Sequence, residues 1–283
     1  MFVPKRPLEL FTRTPEEPIS KDEWQDILFN SYCPYIAKKC DKTRKSQPEV
    51  AIGTCVVGYM QQPVIICPHR FLQRRQIFID VIHLLENHLP GHQLHVIPEI
   101  TLPGGSIDYF VVSVHRGEIR DYVALELQTM DTTGSVWYSR QKLINDELGI
   151  PTLEAGDPKT YGINWKMTAK TILLQMHHKA ETLELLGKKL VLVIQDVFYN
   201  YMESAFQTSS LQDADVKNSV HFHIYGLNRE DNANFSLELR FRRSTTALGI
   251  EQILGLRESK AIPEEALLAR LQAKISERTL LTI

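Results

Sequence analysis

Apolar and polar positions recur with two distinct periods along the chain, and together they predict a mixed α/β fold. Alternation and continuous apolar runs predict strands at 106–115, 122–129, 189–197, 219–225 and 235–242. Apolar residues at helical spacing predict helices at 20–31, 70–89, 168–186 and 263–281. This order of elements favours a central mixed sheet flanked by helices.

Cap and turn signals support several of these boundaries. Ser20 stands where an N-cap is expected, and Glu23 three residues later completes a capping box. Gly117 lies in the short connection between the first two predicted strands, which favours a β-hairpin. The pair Gly104-Gly105 precedes the first of these strands and indicates a turn or a close backbone approach.

Three polar residues interrupt the strands of this hairpin. Asp108 lies near the start of the first strand, and Glu126 and Gln128 lie two residues apart in the second. This spacing places Glu126 and Gln128 on one face, and the hairpin can bring Asp108 close to Glu126. Converging carboxylates offer oxygen ligands to Mg²⁺, which can activate water and polarise a phosphoryl oxygen. The alternative is an amphipathic strand whose polar residues face solvent.

Composition limits the class of protein. A chain of 283 residues that is 43% hydrophobic can bury a substantial core. The formal net charge of -2 gives no global positive field, so any nucleic-acid surface is local. The N-terminal sequence lacks the apolar run of a signal peptide, and no stretch approaches about 18 apolar residues. We therefore expect a cytoplasmic protein with reduced cysteines.

All four cysteines, Cys33, Cys40, Cys55 and Cys67, lie within a 35-residue window. The window is rich in Pro and Gly and has weak periodicity, so it is poorly equipped to form its own core. The C-x6-C-x14-C-x11-C spacing matches no zinc ribbon. Four thiols in such a segment still favour a tetrahedral site for a structural ion, Zn²⁺ or Fe. The alternative is a set of small buried residues without a ligand.

Five motifs, taken in order, resemble the NotI family of restriction endonucleases: CPYIAKKC, GTCVVGY, IICPHRF, GGSIDYFVVS and ALELQ. The resemblance runs from about Cys33 to Gln128. It implies a PD-(D/E)xK nuclease core with the catalytic set Asp108, Glu126 and Gln128, in which the first two bind Mg²⁺. It also implies that Glu99 is an additional acidic residue, for which a structural or helix-capping role is the alternative. In the same way, it implies that the four cysteines hold a single iron.

Gln128 occupies the position that a lysine usually holds in this motif, and the resemblance implies that it orients the scissile phosphate or the attacking water. A neutral amide cannot supply the positive charge of a lysine. More of the charge stabilisation therefore falls on Mg²⁺ and on nearby basic groups.

Basic residues are concentrated around the cysteines. Eight of the 32 basic residues lie between positions 38 and 75. A local basic surface can bind DNA phosphates although the whole chain is slightly acidic, and ordinary solvated side chains are the alternative. The eight are Lys38, Lys39, Lys42, Arg44, Lys45, Arg70, Arg74 and Arg75.

Two further features have a structural and a functional interpretation. His221 and His223 share a strand face without an obvious third ligand, so we expect a hydrogen-bonded structural pair. Trp137 follows the second hairpin strand and either packs against the core or reaches DNA.

We therefore expect an α/β protein with a four-cysteine metal-binding module behind an N-terminal arm at 1–69, and a PD-(D/E)xK nuclease domain at 70–283. The resemblance implies a type II restriction endonuclease that cuts double-stranded DNA with Mg²⁺, as a homodimer on a GC-rich palindrome. Two other functions are a relaxed-specificity DNA nuclease of repair or phage defence, and a catalytically inert, metal-stapled DNA-binding protein.

Overall fold

A seven-stranded mixed sheet forms the centre of the fold. The computed structural model describes residues 3–44, 46–102, 105–152, 160–229, 234–256 and 264–274. Within these ranges, no helix combines the length and the apolar character needed to span a membrane.

The described elements are numbered in chain order. The strands are β1 Pro7–Leu10, β2 Tyr32–Cys33, β3 Lys38–Lys39, β4 Thr43–Arg44, β5 Gln47–Ala51, β6 Thr54–Tyr59, β7 Gln62–Ile65, β8 Gln93–Leu102, β9 Gly105–His115, β10 Glu118–Leu127, β11 Thr132–Thr133, β12 Gly162–Ile163, β13 Lys189–Gln195, β14 Gln212–Asp213, β15 Val220–Arg229 and β16 Phe235–Thr245. The helices are α1 Lys21–Asn30, α2 Gln76–Ile79, α3 Trp137–Asp146, α4 Trp165–Leu185, α5 Asp196–Ala205, α6 Ala247–Leu254 and α7 Glu264–Gln272. Short 3-10 turns occur at Pro68–Arg75, Ile82–Leu84 and Thr208–Ser210.

The central sheet has the strand order β14-β16-β15-β13-β10-β9-β8. Strand β13 runs parallel to both of its neighbours, β10 and β15, and the other pairs are antiparallel. A strand buried on both faces needs a continuous apolar sequence, and β13 has one in KLVLVIQ. The predicted mixed sheet is therefore confirmed.

Each face of the central sheet packs against its own layer. Leu190, Leu192 and Ile194 of β13 pack with helices α4, α5 and α6. The alternating residues Val191 and Val193 pack on the other side, with the segment that contains the 3-10 turns and α2. The hairpin β9–β10 lies between these layers, so its strands are held in a fixed position.

The N-terminal part packs closely against the sheet. Strands β1, β6 and β7 form a small sheet, and Val56 and Val57 of β6 belong to the two different core layers. Helix α1 carries the predicted capping box of Ser20 and Glu23. Its Trp24 packs with cysteines and with α3 in a third cluster. Residues on both sides of position 69 share these cores, and the division into 1–69 and 70–283 stays a prediction.

The predicted helix at 70–89 is wrong, because the segment forms only short helical turns. Arg74 and Arg75 have φ of 54° and 55°, in the left-handed region, and they interrupt the segment. Gln73 accounts for the break, since its side-chain oxygen accepts a 2.6 Å hydrogen bond from the Leu237 N–H. This tertiary contact outweighs the helical spacing of the apolar residues.

Strand β8 was not predicted, although it is ten residues long. It lies at the edge of the central sheet and pairs only with β9 in the described structure. Pro98 interrupts its apolar pattern, and proline is tolerated in strands mainly at edges. The five predicted strands are all confirmed, at β9, β10, β13, β15 and β16. The helix predicted at 263–281 is present at α7, and its last residues lie outside the described ranges.

Candidate active site and cysteine cluster

The hairpin β9–β10 places Asp108 directly beside Glu126. Tyr109 pairs with Leu125 across the two strands, so the next pair along the ladder is Asp108 with Glu126. Opposed residues project from the same face of a sheet. Oδ2 of Asp108 accepts a 2.8 Å hydrogen bond from the Leu127 N–H, which fixes the carboxylate at the end of β10. The register therefore brings together the two acidic residues that the hairpin predicts to converge.

The two carboxylates differ in exposure but are electrostatically linked. Glu126 is buried, whereas Asp108 lies at the exposed edge of the site. Burial and then the charge of Asp108 raise the pKa of Glu126 to about 7, against the opposing effect of Lys179. Loss of water also raises the pKa of Asp108, and the charge of Glu99 adds to this rise. A divalent cation would relieve this repulsion, so these two oxygen donors fit Mg²⁺.

A lysine from a distant part of the chain enters this site. Lys179 of α4 is buried, and its Nζ lies 2.7 Å from Glu126 Oε1 and 2.7 Å from the carbonyl oxygen of Ser106. The sequence pattern alone does not identify Lys179 as a site residue. The available signal was its position on the apolar face of α4, between the buried Met176 and Leu183.

Gln128 lies immediately after β10 and beside the same site. Its N–H donates a 3.0 Å hydrogen bond to the carbonyl oxygen of Val193, which extends the pairing of β10 with β13 by one residue. Its side-chain Nε2 donates a 2.6 Å hydrogen bond to the Thr129 carbonyl oxygen. The amide group is therefore engaged with its own backbone rather than with either carboxylate.

Glu99 lies on β8, across from Asp108. Pro98 pairs with Tyr109 and Ile100 pairs with Ile107, which leaves Glu99 opposite Asp108. It is exposed and has a φ of 50°, in the left-handed region. Its location in a strand excludes the helix-capping alternative. Its charge reaches Asp108, so a place near the metal site stays a prediction.

The four cysteines lie on separate segments and are all buried and free. Cys67 acts electrostatically on each of the other three, so the four thiols lie near one another. The Cys55 thiol hydrogen-bonds to Cys67, and this bond together with burial raises the pKa of Cys55. The same bond lowers the pKa of Cys67, and the charge of Lys42 adds to this effect. Burial raises the pKa of Cys33 and Cys40, and the nearby charge of Cys67 raises it further.

A buried cation that has no carboxylate partner among the described residues stands beside this cluster. Arg140 of α3 is 5% exposed, and burial lowers its pKa to about 10. Its guanidinium donates to two neutral acceptors, the Ile52 carbonyl oxygen and Gln141 Oε1, each at 2.6 Å. The negative group that favours its charged form is Cys40. Thiolates rather than thiols are therefore the natural counter-charge of Arg140.

This donor set fits a thiolate-bound ion. Four thiolates around a divalent ion carry a net charge of minus two, and the positive charges of Arg140 and Lys42 both act on this cluster. In a closed tetrahedral site the sulfurs lie about 3.8 Å apart. Among the described side chains, the group of three or more donors within 4.8 Å of one another is His177, Glu181 and Glu251.

The basic residues expected to contact DNA have different environments. Arg70 is fully buried, with Nε 2.8 Å from Glu9 Oε2, and its Nη2 donates to the Phe235 carbonyl oxygen at 2.7 Å. The expectation that Arg70 contacts DNA is therefore wrong, because its guanidinium holds β1 against the start of β16. Lys45 lies outside the described residues. The exposed members are Lys38, Lys39, Arg74 and Arg75.

The two remaining basic residues line a cleft of about 810 Å³. Lys42 and Arg44 lie on the cysteine-bearing side, and Met130 and Thr132 lie on the side that follows β10. The Arg44 guanidinium stacks 4.8 Å from the ring centre of Trp137, which is buried. The packing alternative for Trp137 is thus correct, and the cleft opens two residues beyond Gln128.

The histidine pair of β15 is only partly hydrogen-bonded. His221 Nε2 lies 2.9 Å from the Asn218 carbonyl oxygen. Neither ring nitrogen of His223 has a hydrogen-bond partner within the described ranges. Burial lowers the pKa of His221 to about 4 and that of His223 to about 2. The structural interpretation of the pair holds, whereas the expected hydrogen bonding fails at His223.

Comparison with protein families gives a match to the model described as Restriction endonuclease NotI, over residues 33–237. This range covers most of the chain and contains the four cysteines, both strands of the hairpin and helix α4. No curated protein matches the chain.

Proposed function

The chain belongs to the NotI family of restriction endonucleases, and we propose that it is a type II enzyme that hydrolyses both strands of double-stranded DNA with Mg²⁺. The observation that supports this most directly is the register of β9 with β10, which sets Asp108 opposite Glu126, together with the bond from the Leu127 N–H to Asp108. Two adjacent carboxylates that each resist ionisation are an arrangement common at catalytic and metal sites, which supports this assignment.

The proposed active site follows from the roles that each residue can perform. Asp108 and Glu126 would hold Mg²⁺, which when bound supplies an activated water and a polarised phosphoryl oxygen. The Leu127 N–H fixes one Asp108 oxygen at 2.8 Å, so this ligand is oriented before DNA arrives. Gln128 is proposed to orient the scissile phosphate or the attacking water, which requires its amide to leave Thr129.

We propose a PD-(D/E)xK core in which β9 and β10 carry the acidic residues and α4 packs behind them. The order of the hairpin, helix α4 and parallel strand β13 supports this assignment. Glu99 is proposed as an accessory acidic residue, because it lies across β9 from Glu126 and its charge reaches Asp108. In this arrangement the nuclease domain corresponds to 70–283.

The four cysteines are proposed to hold one structural ion that cross-links the segments of the N-terminal module of 1–69. Their burial, their separate origins and the neighbouring Arg140 support this. Family resemblance favours iron, and Zn²⁺ is the alternative that thiolates accept equally well. Four protein ligands leave no open position, so the ion has a structural role.

DNA is proposed to lie across the module and the carboxylates. Nε2 of His69 lies 2.9 Å from Oδ1 of Asp41, and a positive charge on His69 acts on Asp108. The cysteine-bearing module therefore borders the carboxylate site. The surface basic residues Lys38 and Lys39 and the cleft residues Lys42 and Arg44 can then meet phosphates on the same side.

A homodimer acting on a GC-rich palindrome completes the proposal. One set of carboxylates serves one strand, and a two-fold dimer presents a second set to the other strand. Family resemblance is the basis for the GC-rich target.

A plasmid digest tests this function directly. Purified full-length protein is incubated with plasmid DNA in Mg²⁺ and, as a control, in EDTA. Discrete fragments that require Mg²⁺ support the proposal, and end mapping then gives the target sequence and the overhang. A smear indicates relaxed specificity, whereas intact DNA with a gel shift indicates a binding protein, and either result contradicts the proposal.

A further inference from the structure

Lys179 has an unusual position for a lysine. It lies on the inner face of α4, where Met176, Ala180 and Leu183 are also buried. A charged group in such an environment is costly unless it is paired and hydrogen-bonded. Lys179 meets this condition only through its head group, which contacts Glu126 and the Ser106 carbonyl oxygen. The carboxylate site is therefore the reason that a lysine is accommodated here.

The ammonium of Lys179 acts on both proposed metal ligands. It touches Glu126 Oε1 at 2.7 Å, and its charge also favours the ionised form of Asp108. The side chains of Lys179 and Glu126 are only 5% and 7% exposed, so solvent screens their interaction weakly. A single buried positive charge thus faces two carboxylates.

The motif position that carries a lysine in related nucleases holds the neutral Gln128. Its amide bonds to the Thr129 carbonyl oxygen, so it neither contacts Glu126 nor brings a charge to the site. Lys179 brings a positive charge to the same carboxylates from another element. Helix α4 therefore brings to the site the positive charge that is missing at the motif position after strand β10.

We propose that Lys179 is a positioning residue of the nuclease: it holds Oε1 of Glu126 and supplies the positive charge that Gln128 cannot. An ammonium has three N–H donors, and two are directed at Glu126 and Ser106. Fixing one oxygen of Glu126 in this way sets the direction of the carboxylate towards Asp108 and the scissile phosphate. This inference rests on the proposed function.

The test compares variants of the full-length protein in single-turnover cleavage of a plasmid with enzyme in excess. Lys179→Met removes the charge and the donors and keeps an unbranched apolar side chain that is one atom shorter. We expect its cleavage rate to fall by about 100-fold or more, the size of effect seen when one preorganised charge or donor is lost from an active site. Lys179→Arg retains the charge, and we expect it to recover at least about tenfold of that loss.

A matched control is a second lysine that pairs with an acidic residue of β10. Lys188 pairs with Asp121 of β10 at 2.6 Å, away from the carboxylate site. Lys188→Met removes an ion pair whose lysine side chain is 21% exposed, so we expect a fall in thermal midpoint no larger than that of Lys179→Met and a cleavage rate within about threefold of wild type. DNA affinity, measured by fluorescence anisotropy with Ca²⁺ in place of Mg²⁺, is expected to stay within about threefold for all variants.

Three outcomes are decisive. A Lys179→Met protein that cleaves within about threefold of wild type per folded molecule overturns the inference. So does a rate loss that Lys188→Met reproduces, because the effect is then structural. If Lys179→Met does not fold, Lys179→Gln keeps a donor to Glu126 without the charge, and wild-type activity in that variant also overturns it. Wild-type protein that cuts no DNA would instead refute the proposed function itself.

Discussion

His223 provides a quantitative test of the core of the fold. Its ring is fully buried, stacks on His83 with ring centres 6.0 Å apart, and also faces Arg242 and His221. Burial lowers its pKa to about 2, so the native protein keeps this ring neutral well below pH 6. The unfolded chain exposes the same ring to water, where a histidine has a pKa of about 6.5.

The sign of the effect follows from proton binding. Below pH 6.5 the unfolded state binds a proton at His223 and the native state does not, so acid favours unfolding. The loss is about 1.4 kcal/mol for each pH unit below 6.5, which gives about 2 kcal/mol at pH 5. The contribution is fully present above about pH 6.5 and decreases as the pH falls towards the native pKa of about 2.

The perturbation is His223→Leu, which removes the titrating ring and the two nitrogens that have no partner among the described residues. Urea unfolding at pH 8 and pH 5 gives the free energy of unfolding of variant and wild type. We expect the variant to gain about 2 kcal/mol relative to wild type between these pH values. Carboxylates with a raised pKa, such as Glu9, also make stability depend on pH. Their contribution cancels in the comparison, because wild type and variant both contain them.

The control is His95→Leu at an exposed position of β8, where folding leaves the ring in water. It should show no comparable pH-dependent gain. If the difference between His223→Leu and wild type changes by less than about 0.5 kcal/mol from pH 8 to pH 5, the burial of a neutral His223 is refuted.

Three further variants test the site and its support. Glu126→Ala should abolish Mg²⁺-dependent cleavage while DNA affinity in a gel shift stays unchanged, and surviving cleavage would show that the metal ligands are misassigned. Cys55→Ser should lose the bound ion in elemental analysis of purified protein, and an unchanged metal content would reject a four-thiolate site. Glu9→Gln should lower the free energy of unfolding by about 3–5 kcal/mol at pH 8.5, because it leaves the Arg70 guanidinium buried without its counter-charge. An effect below about 1 kcal/mol in urea unfolding would contradict a structural role for this pair.

The parts of the site that sequence predicts are those built from local pattern. Alternating residues and Gly117 define the hairpin, and the hairpin alone places Asp108 beside Glu126. Chain periodicity also predicts β13, because a strand buried on both faces carries a continuous apolar run. These elements depend on neighbours close in the chain.

The parts that sequence does not predict depend on distant contacts. Lys179 reaches Glu126 from 53 residues away because α4 packs across the sheet, and periodicity identifies the helix without its target. Arg70 has the composition of a DNA contact, yet Glu9 draws it into the core. Gln73 breaks a segment with helical spacing through a bond to Leu237, 164 residues along the chain. In each case the local sequence is compatible with two conformations or environments, and a contact with a residue distant in the chain determines which one forms.

The location of a bound divalent ion tests the central claim most directly. Crystals of the protein with cleavable DNA, soaked in Mn²⁺, would give an anomalous difference map that marks each ion. We expect a peak between the carboxylates of Asp108 and Glu126, within about 2.0–2.6 Å of an oxygen from each and beside a phosphate. Manganese found only elsewhere, for example at His177, Glu181 and Glu251, would contradict the proposed nuclease site.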